Sequence, residues 1–253
     1  MKIKEIKEQA KIGLNGNFFK SIFITLFYTI ITILAGLLIN NIKNSFSNIN
    51  FKLLLDILVG LINLALIPFS YGVISSLINI FKGKKVDYTE FINISLLNYA
   101  KIIKLVLSML LKILPYIFIF TVALVLAITN FNNNIINILT AILCLTSIIV
   151  LFIKTLDFTF VLFVNYDNPS LSCKEILLKS KSTIKSKKCK YLLLLLSFIL
   201  WFAIIVLINR LLMYFIENTT IISYINNILI AIITPIITVS QYIFYDDLTN
   251  ENK

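Results

Sequence analysis

Between Ser21 and Ile39 the chain carries no charged residue. At about 1.5 Å of rise per residue, that run matches the roughly 30 Å hydrocarbon core of a bilayer. In hydrocarbon the backbone must satisfy its own hydrogen bonds, so such a run is read as a membrane-spanning helix. Five more runs follow. Leu53 to Phe81 holds only Asp56 as a charge, and Leu105 to Thr129 only Lys112. Ile135 to Val164 is interrupted by Lys154 and Asp157, while Tyr191 to Asn209 and Ile221 to Tyr245 are uncharged. Composition agrees, at 59% hydrophobic and 14% charged with a mean hydropathy of +0.95, where a soluble domain is about half apolar and a quarter charged. The expected fold is an all-α membrane protein, a single integral membrane domain over residues 1–253. Its six transmembrane helices form three hairpins, with a polar loop at Asn40 to Lys52 and a tight turn at Asn130 to Asn134.

Lysine placement orients the hairpins, because basic residues in short loops stay cytoplasmic. Before the first span stand Lys2, Lys4, Lys7, Lys11 and Lys20; between the second and third stand Lys82, Lys84, Lys85, Lys101 and Lys104. Between the fourth and fifth stand Lys174, Lys179, Lys181, Lys185, Lys187, Lys188 and Lys190, and Lys253 closes the chain. The other side has only Lys43, Lys52 and Arg210. Both termini are therefore expected in the cytoplasm, and the first helix is expected to remain in the protein because Met1 to Lys20 is charged and amphipathic. The net charge of +11 reads as this topology signal, with no nucleic-acid partner.

Each hairpin is preceded by a basic, partly amphipathic segment, and these recur at a fixed interval. Lys4-Glu5-Ile6 is echoed by Lys174-Glu175-Ile176, with Thr89-Glu90-Phe91 midway. The pattern suggests three tandem units, 1–85, 86–170 and 171–253, each a cytoplasmic surface helix and a hairpin. Mitochondrial carriers share that plan, but Pro68, Pro115 and Pro235 lack the acidic and basic residues of the carrier motif, and plan alone is not function.

Much chemistry is excluded. The chain has no histidine, so Ser-His-Asp triads and His-ligated zinc are ruled out. Cys144, Cys173 and Cys189 have no Cys-x-x-Cys spacing and read as free thiols. No glycine-rich phosphate loop is present, and no paired carboxylates lie within a span, so no enzyme, metal or cofactor is expected. Charges in a membrane segment are the default functional candidates. Lys112 and Lys154 lie at matching depth near the cytoplasmic interface, and Asp157 is one turn beyond Lys154, able to pair with it or with Lys112. These three form a candidate cytoplasmic-side polar site, or else a snorkelling, ion-paired belt. The lysine run from Lys174 to Lys190 is the candidate lipid or partner surface. Ser172 and Glu175 supply a capping box for a helix there, which anionic lipid would hold at about 1 kcal/mol per lysine.

The residues Gly16-Asn17-Phe18, Lys154, Asp167-Asn168-Pro169, Ser180, Ser197-Phe198, Trp201, Phe244-Tyr245 and Leu248 make the chain resemble an uncharacterised bacterial integral membrane family, domain of unknown function 975. The resemblance implies a six-helix protein of the bacterial cytoplasmic membrane and carries no activity. Where many members have Pro-Gly before the lysine of the fourth span, this chain has Val150-Leu151, which leaves a break in that helix open. The function expected is that of a non-catalytic accessory, protective (immunity-type) or scaffold component, acting through anionic lipids or a membrane or cytoplasmic protein partner. The alternative is a small-solute permease or channel.

Overall fold

The computed structural model describes residues 1–44, 49–129 and 134–251. They form ten α-helices: α1 (Ile3–Leu14), α2 (Phe18–Asn44), α3 (Ile49–Phe81), α4 (Glu90–Thr129), α5 (Asn134–Leu156), α6 (Val161–Asp167), α7 (Cys173–Ile184), α8 (Lys188–Leu196), α9 (Ile199–Phe215) and α10 (Thr219–Glu251). No strand occurs among the described residues. Six helical stretches are long and apolar enough to cross a membrane. They are α2, α3, α4, α5 with α6, α8 with α9, and α10.

Of the loop expected from Asn40 to Lys52, residues 45–48 lie outside the described residues, and those on either side are helical. Neither flank holds a glycine or proline, so α2 runs on through Asn44 and α3 starts at Ile49. The turn expected at Asn130 to Asn134 lies outside the described residues except for Asn134, which begins α5.

The chain forms two compact units, Met1–Ile103 with Cys189–Lys253, and Lys104–Lys188. In the first unit α10 is the hub, packing on α1, α2, α3 and α9. The buried face of α1 is Ile6, Ala10 and Leu14, and α10 contributes Val239, Tyr242, Phe244, Tyr245 and Leu248. Lysines cover this aromatic layer: Lys82 lies 5.0 Å from the Tyr242 ring centre and Lys190 5.9 Å from that of Phe244. Helix α3 ends in a Schellman motif. Lys84 N–H donates to the Asn79 carbonyl and Gly83 N–H to that of Ile80, with Gly83 at φ +73°. Gly72 lets α3 approach the start of α4, since a Cβ there would strike the Phe91 carbonyl and Ser95 Oγ. In the second unit α6 packs on α7, burying Phe163, Val164, Ile176 and Leu177.

Glu5, Glu90 and Glu175 make one contact in common. Each carboxylate accepts the backbone N–H three residues earlier, from Lys2 at 2.9 Å, Asp87 at 3.1 Å and Ser172 at 2.8 Å. The next residue, Ile6, Phe91 or Ile176, is fully buried in every case, as are Ala10, Ser95 and Ser180. A turn then separates α1 from α2, with Gly16 at φ +79°, and a turn separates α7 from α8. At the corresponding place in α4, Ala100 to Ile102, the helix continues unbroken.

Candidate functional site

Within the second unit the polar side chains gather at a helix break. Helix α5 stops at Leu156 and α6 starts at Val161, and the turn between them is tightened. Asp157 N–H donates to the Lys154 carbonyl and Val161 N–H to that of Phe158. The carbonyls of Ile153 and Asp157 thereby lose their helical partners. In a membrane segment an unsatisfied backbone group costs several kcal/mol, and both are satisfied from elsewhere. Lys188 Nζ donates to the Ile153 carbonyl at 3.0 Å, and Ser180 Oγ to the Asp157 carbonyl at 3.0 Å. Lys188 also forms an ion pair with Asp157 at 2.5 Å, their side chains 21% and 7% exposed. The break therefore sits after Leu156 and not at Val150–Leu151.

The expected partnership of Asp157 with Lys154 or Lys112 is replaced by this one. Lys154 lies over the Tyr116 ring, 5.3 Å from its centre, and Lys112 is exposed. Helical spacing identified Lys154 as the nearest cation to Asp157 in sequence; the one that reaches it comes from the start of α8. Chemically this is a knot in which Lys188 and Asp157 neutralise one another and Lys188 and Ser180 occupy both freed carbonyls.

The lysine run divides by environment. Lys179 Nζ donates to Asn168 Oδ1 at 3.0 Å, Lys188 is in the knot, and Lys190 covers Phe244. Lys187 is half-buried, and Lys174, Lys181 and Lys185 are exposed. The expected capping box is present. Ser172 N–H donates to Glu175 at 2.8 Å, and Glu175 N–H donates to Ser172 Oγ at 3.4 Å. The Ser172 side chain and then its backbone N–H hold the Glu175 carboxyl below the usual carboxylate range.

The first unit repeats the logic of the break. Between α8 and α9, Trp201 N–H donates to the Phe198 carbonyl at 3.0 Å. The Ser197 carbonyl, its ordinary acceptor, instead receives Lys7 Nζ at 2.9 Å. Lys7 also sits 4.7 Å from the Phe198 ring centre. Burial pushes its ammonium down from the usual lysine range, and repulsion from Lys11 adds to this.

The first unit also holds a cavity of about 360 Å³ between α2, α3 and α10. Helix α2 presents Thr25, Tyr28, Thr29 and Thr32, α3 presents Ser70, and α10 presents Asn227, Thr234 and Thr238. This lining was not among the candidate sites read from the sequence. The signal available was spacing: Thr25, Thr29 and Thr32 fall on one face of a helix, as do Asn227, Thr234 and Thr238. Elsewhere within the spans, Asn226 accepts from Asn209 Nδ2 at 2.7 Å, joining α9 to α10. Thr121 and Thr146 bond carbonyls of their own helices.

Comparisons with curated proteins and with solved structures find no match. A family model described as "Protein of unknown function (DUF975)" matches residues 1–252. Spanning nearly the whole chain, that match establishes that the protein belongs to the DUF975 family.

Proposed function

We propose that this is a non-catalytic component of the bacterial cytoplasmic membrane, acting as an accessory, protective or scaffold protein through its basic face. In this reading the six spans form three hairpins with both termini in the cytoplasm. Residues 1–85, 86–170 and 171–253 are three versions of one unit, a capped surface helix followed by a hairpin. The shared capping by Glu5, Glu90 and Glu175 and the buried positions that follow each of them support the repeat.

The observation that carries the function is the division of the lysine run. Helix α7 is capped, and its other face is buried through Ile176, Leu177, Ser180 and Ile184. Lys174, Lys181 and Lys185 are thus presented on a rigid support. Immobilised cations bind an anionic lipid surface or an acidic protein face with little loss of backbone freedom. Affinity purification from the native host in mild detergent, with quantitative mass spectrometry, tests this. A stoichiometric partner lost on K174E/K181E/K185E is expected. A solitary protein whose binding to anionic vesicles is also unchanged by the triple substitution refutes the proposal.

A further inference from the structure

The cavity between α2, α3 and α10 has polar groups that helix packing leaves unused. Polar side chains inside membrane bundles ordinarily bond across helices, and here one does, Thr25 Oγ1 donating to the Ala231 carbonyl at 2.8 Å. Thr29, Thr32, Ser70 and Thr234 each give their proton to a carbonyl of their own helix at 2.7–2.8 Å. That leaves their oxygen lone pairs as acceptors. Thr238 is only 8% exposed, lines the cavity, and has no hydrogen-bond partner among the described residues. Tyr28 and Asn227 also line it and make no hydrogen bond there. The wall thus presents a row of acceptors together with three side chains that can donate as well as accept.

The lining has no carboxylate, lysine or arginine. An ion would enter an uncompensated low-dielectric site at prohibitive desolvation cost, so the ligand is uncharged. Val73, Ile74 and Ile230 form an apolar wall, which suits a solute with carbon on one side and hydroxyls on the other. The volume of about 360 Å³ lies at the small end of ligand pockets, and equals that of roughly twelve waters at ~30 Å³ each. Along α10 the lining runs from Asn227 to Thr238, which at about 1.5 Å per residue is a slot on the order of 16 Å long. We propose that it is a binding site for a small neutral polyol of five or six carbons. Ligand hydroxyls would donate to the threonine and serine oxygens and accept from Asn227, Tyr28 and Thr238. The proposal goes beyond the accessory reading and does not require transport.

The test is binding of sorbitol to the purified full-length protein in nanodiscs, followed by isothermal calorimetry and by thermal shift. The controls are gluconate, of similar size and anionic, and 1,6-hexanediol, which keeps the carbon chain and loses the inner hydroxyls. Saturable sorbitol binding is expected, with both controls at least ten-fold weaker. Thr238→Val and Asn227→Leu should each weaken it about three- to ten-fold, the effect of one lost hydrogen bond. The unliganded melting temperature should stay the same or rise, because unpartnered polar groups are removed. A shift that grows linearly with sorbitol concentration and is equal in wild type and variants is the general exclusion effect of polyols and overturns the proposal. Equal binding of gluconate overturns the neutral class. Should Thr238→Val fail to fold, Asn227→Leu reads the same outcome.

Discussion

Replacing Lys188 by methionine removes the cation from the knot at the α5–α6 break while keeping a side chain of similar length. Asp157 is then left with its carboxylate 7% exposed and no counter-charge, and the Ile153 carbonyl loses its donor. Breaking a buried pair from one side costs about 3–5 kcal/mol. Lys188 is 21% exposed, so water reaches the vacated position and the value belongs near the lower end. The lost bond to Ile153 adds about 1 kcal/mol, giving about 4 kcal/mol for Lys188→Met. Asp157→Asn leaves a neutral amide that still accepts from Lys188, and should cost about 2 kcal/mol. The double variant discards both charges together and should cost about 2 kcal/mol less than the two singles summed. At roughly 2–4 °C per kcal/mol for a chain of this size, Lys188→Met should melt about 8–16 °C below wild type. Cys144 and Cys173 are half-buried thiols in the same unit, so a thiol-reactive dye follows unfolding, with exposed Cys189 replaced by serine to remove background. A Lys188→Met protein melting within 2 °C of wild type, or a double variant showing full additivity, would refute the reasoning.

Other consequences are as direct. The Glu175 carboxylate is held below its usual range by Ser172, so its capping contribution is complete above the ordinary glutamate value near pH 4.3. It fades as pH falls through the lowered folded value, and Glu175→Gln should remove that pH dependence from the hydrogen-exchange protection of the Ser172 amide; an unchanged profile counts against the cap. Gly72→Ala should destabilise the first unit by at least about 2 kcal/mol, since its Cβ meets the Phe91 carbonyl and Ser95 Oγ; a melting point equal to wild type means that α3 and α4 are further apart. Asn165 is fully buried with neither side-chain atom hydrogen-bonded among the described residues, so Asn165→Leu should raise stability by about 1 kcal/mol, and a loss of that size would reveal a partner.

The spans were legible because charge is absent over long runs, a signal that depends on the bilayer and on little else in the chain. The breaks were not. Neither Asp157 to Phe160 nor Ser197-Phe198 contains proline or glycine, whereas Pro68, Pro115 and Pro235 all sit inside continuous helices. A break in a membrane helix depends on who receives the freed carbonyls, and here the donors are Lys188 and Lys7, distant in sequence. The same reason hid the partner of Asp157. The hydroxyl cavity was not read from the sequence: threonine spacing marks a face on α2 and on α10, but nothing in the sequence says that α2, α3 and α10 turn toward one another there.

Helix α10 is the least apolar of the six spans, and 61% of its apolar window is buried, against 6–22% for the others. It also follows the other five spans in the chain. During synthesis α2 and α3 therefore precede it, and the hydroxyl groups they turn toward α10 have no third wall until that helix arrives. Assembly of the first unit's core thus waits on α10. A release, stall or premature stop before Thr219 would yield a chain whose first unit lacks its hub, the kind of substrate that membrane proteases remove. Quality control of the first unit is built into that one helix.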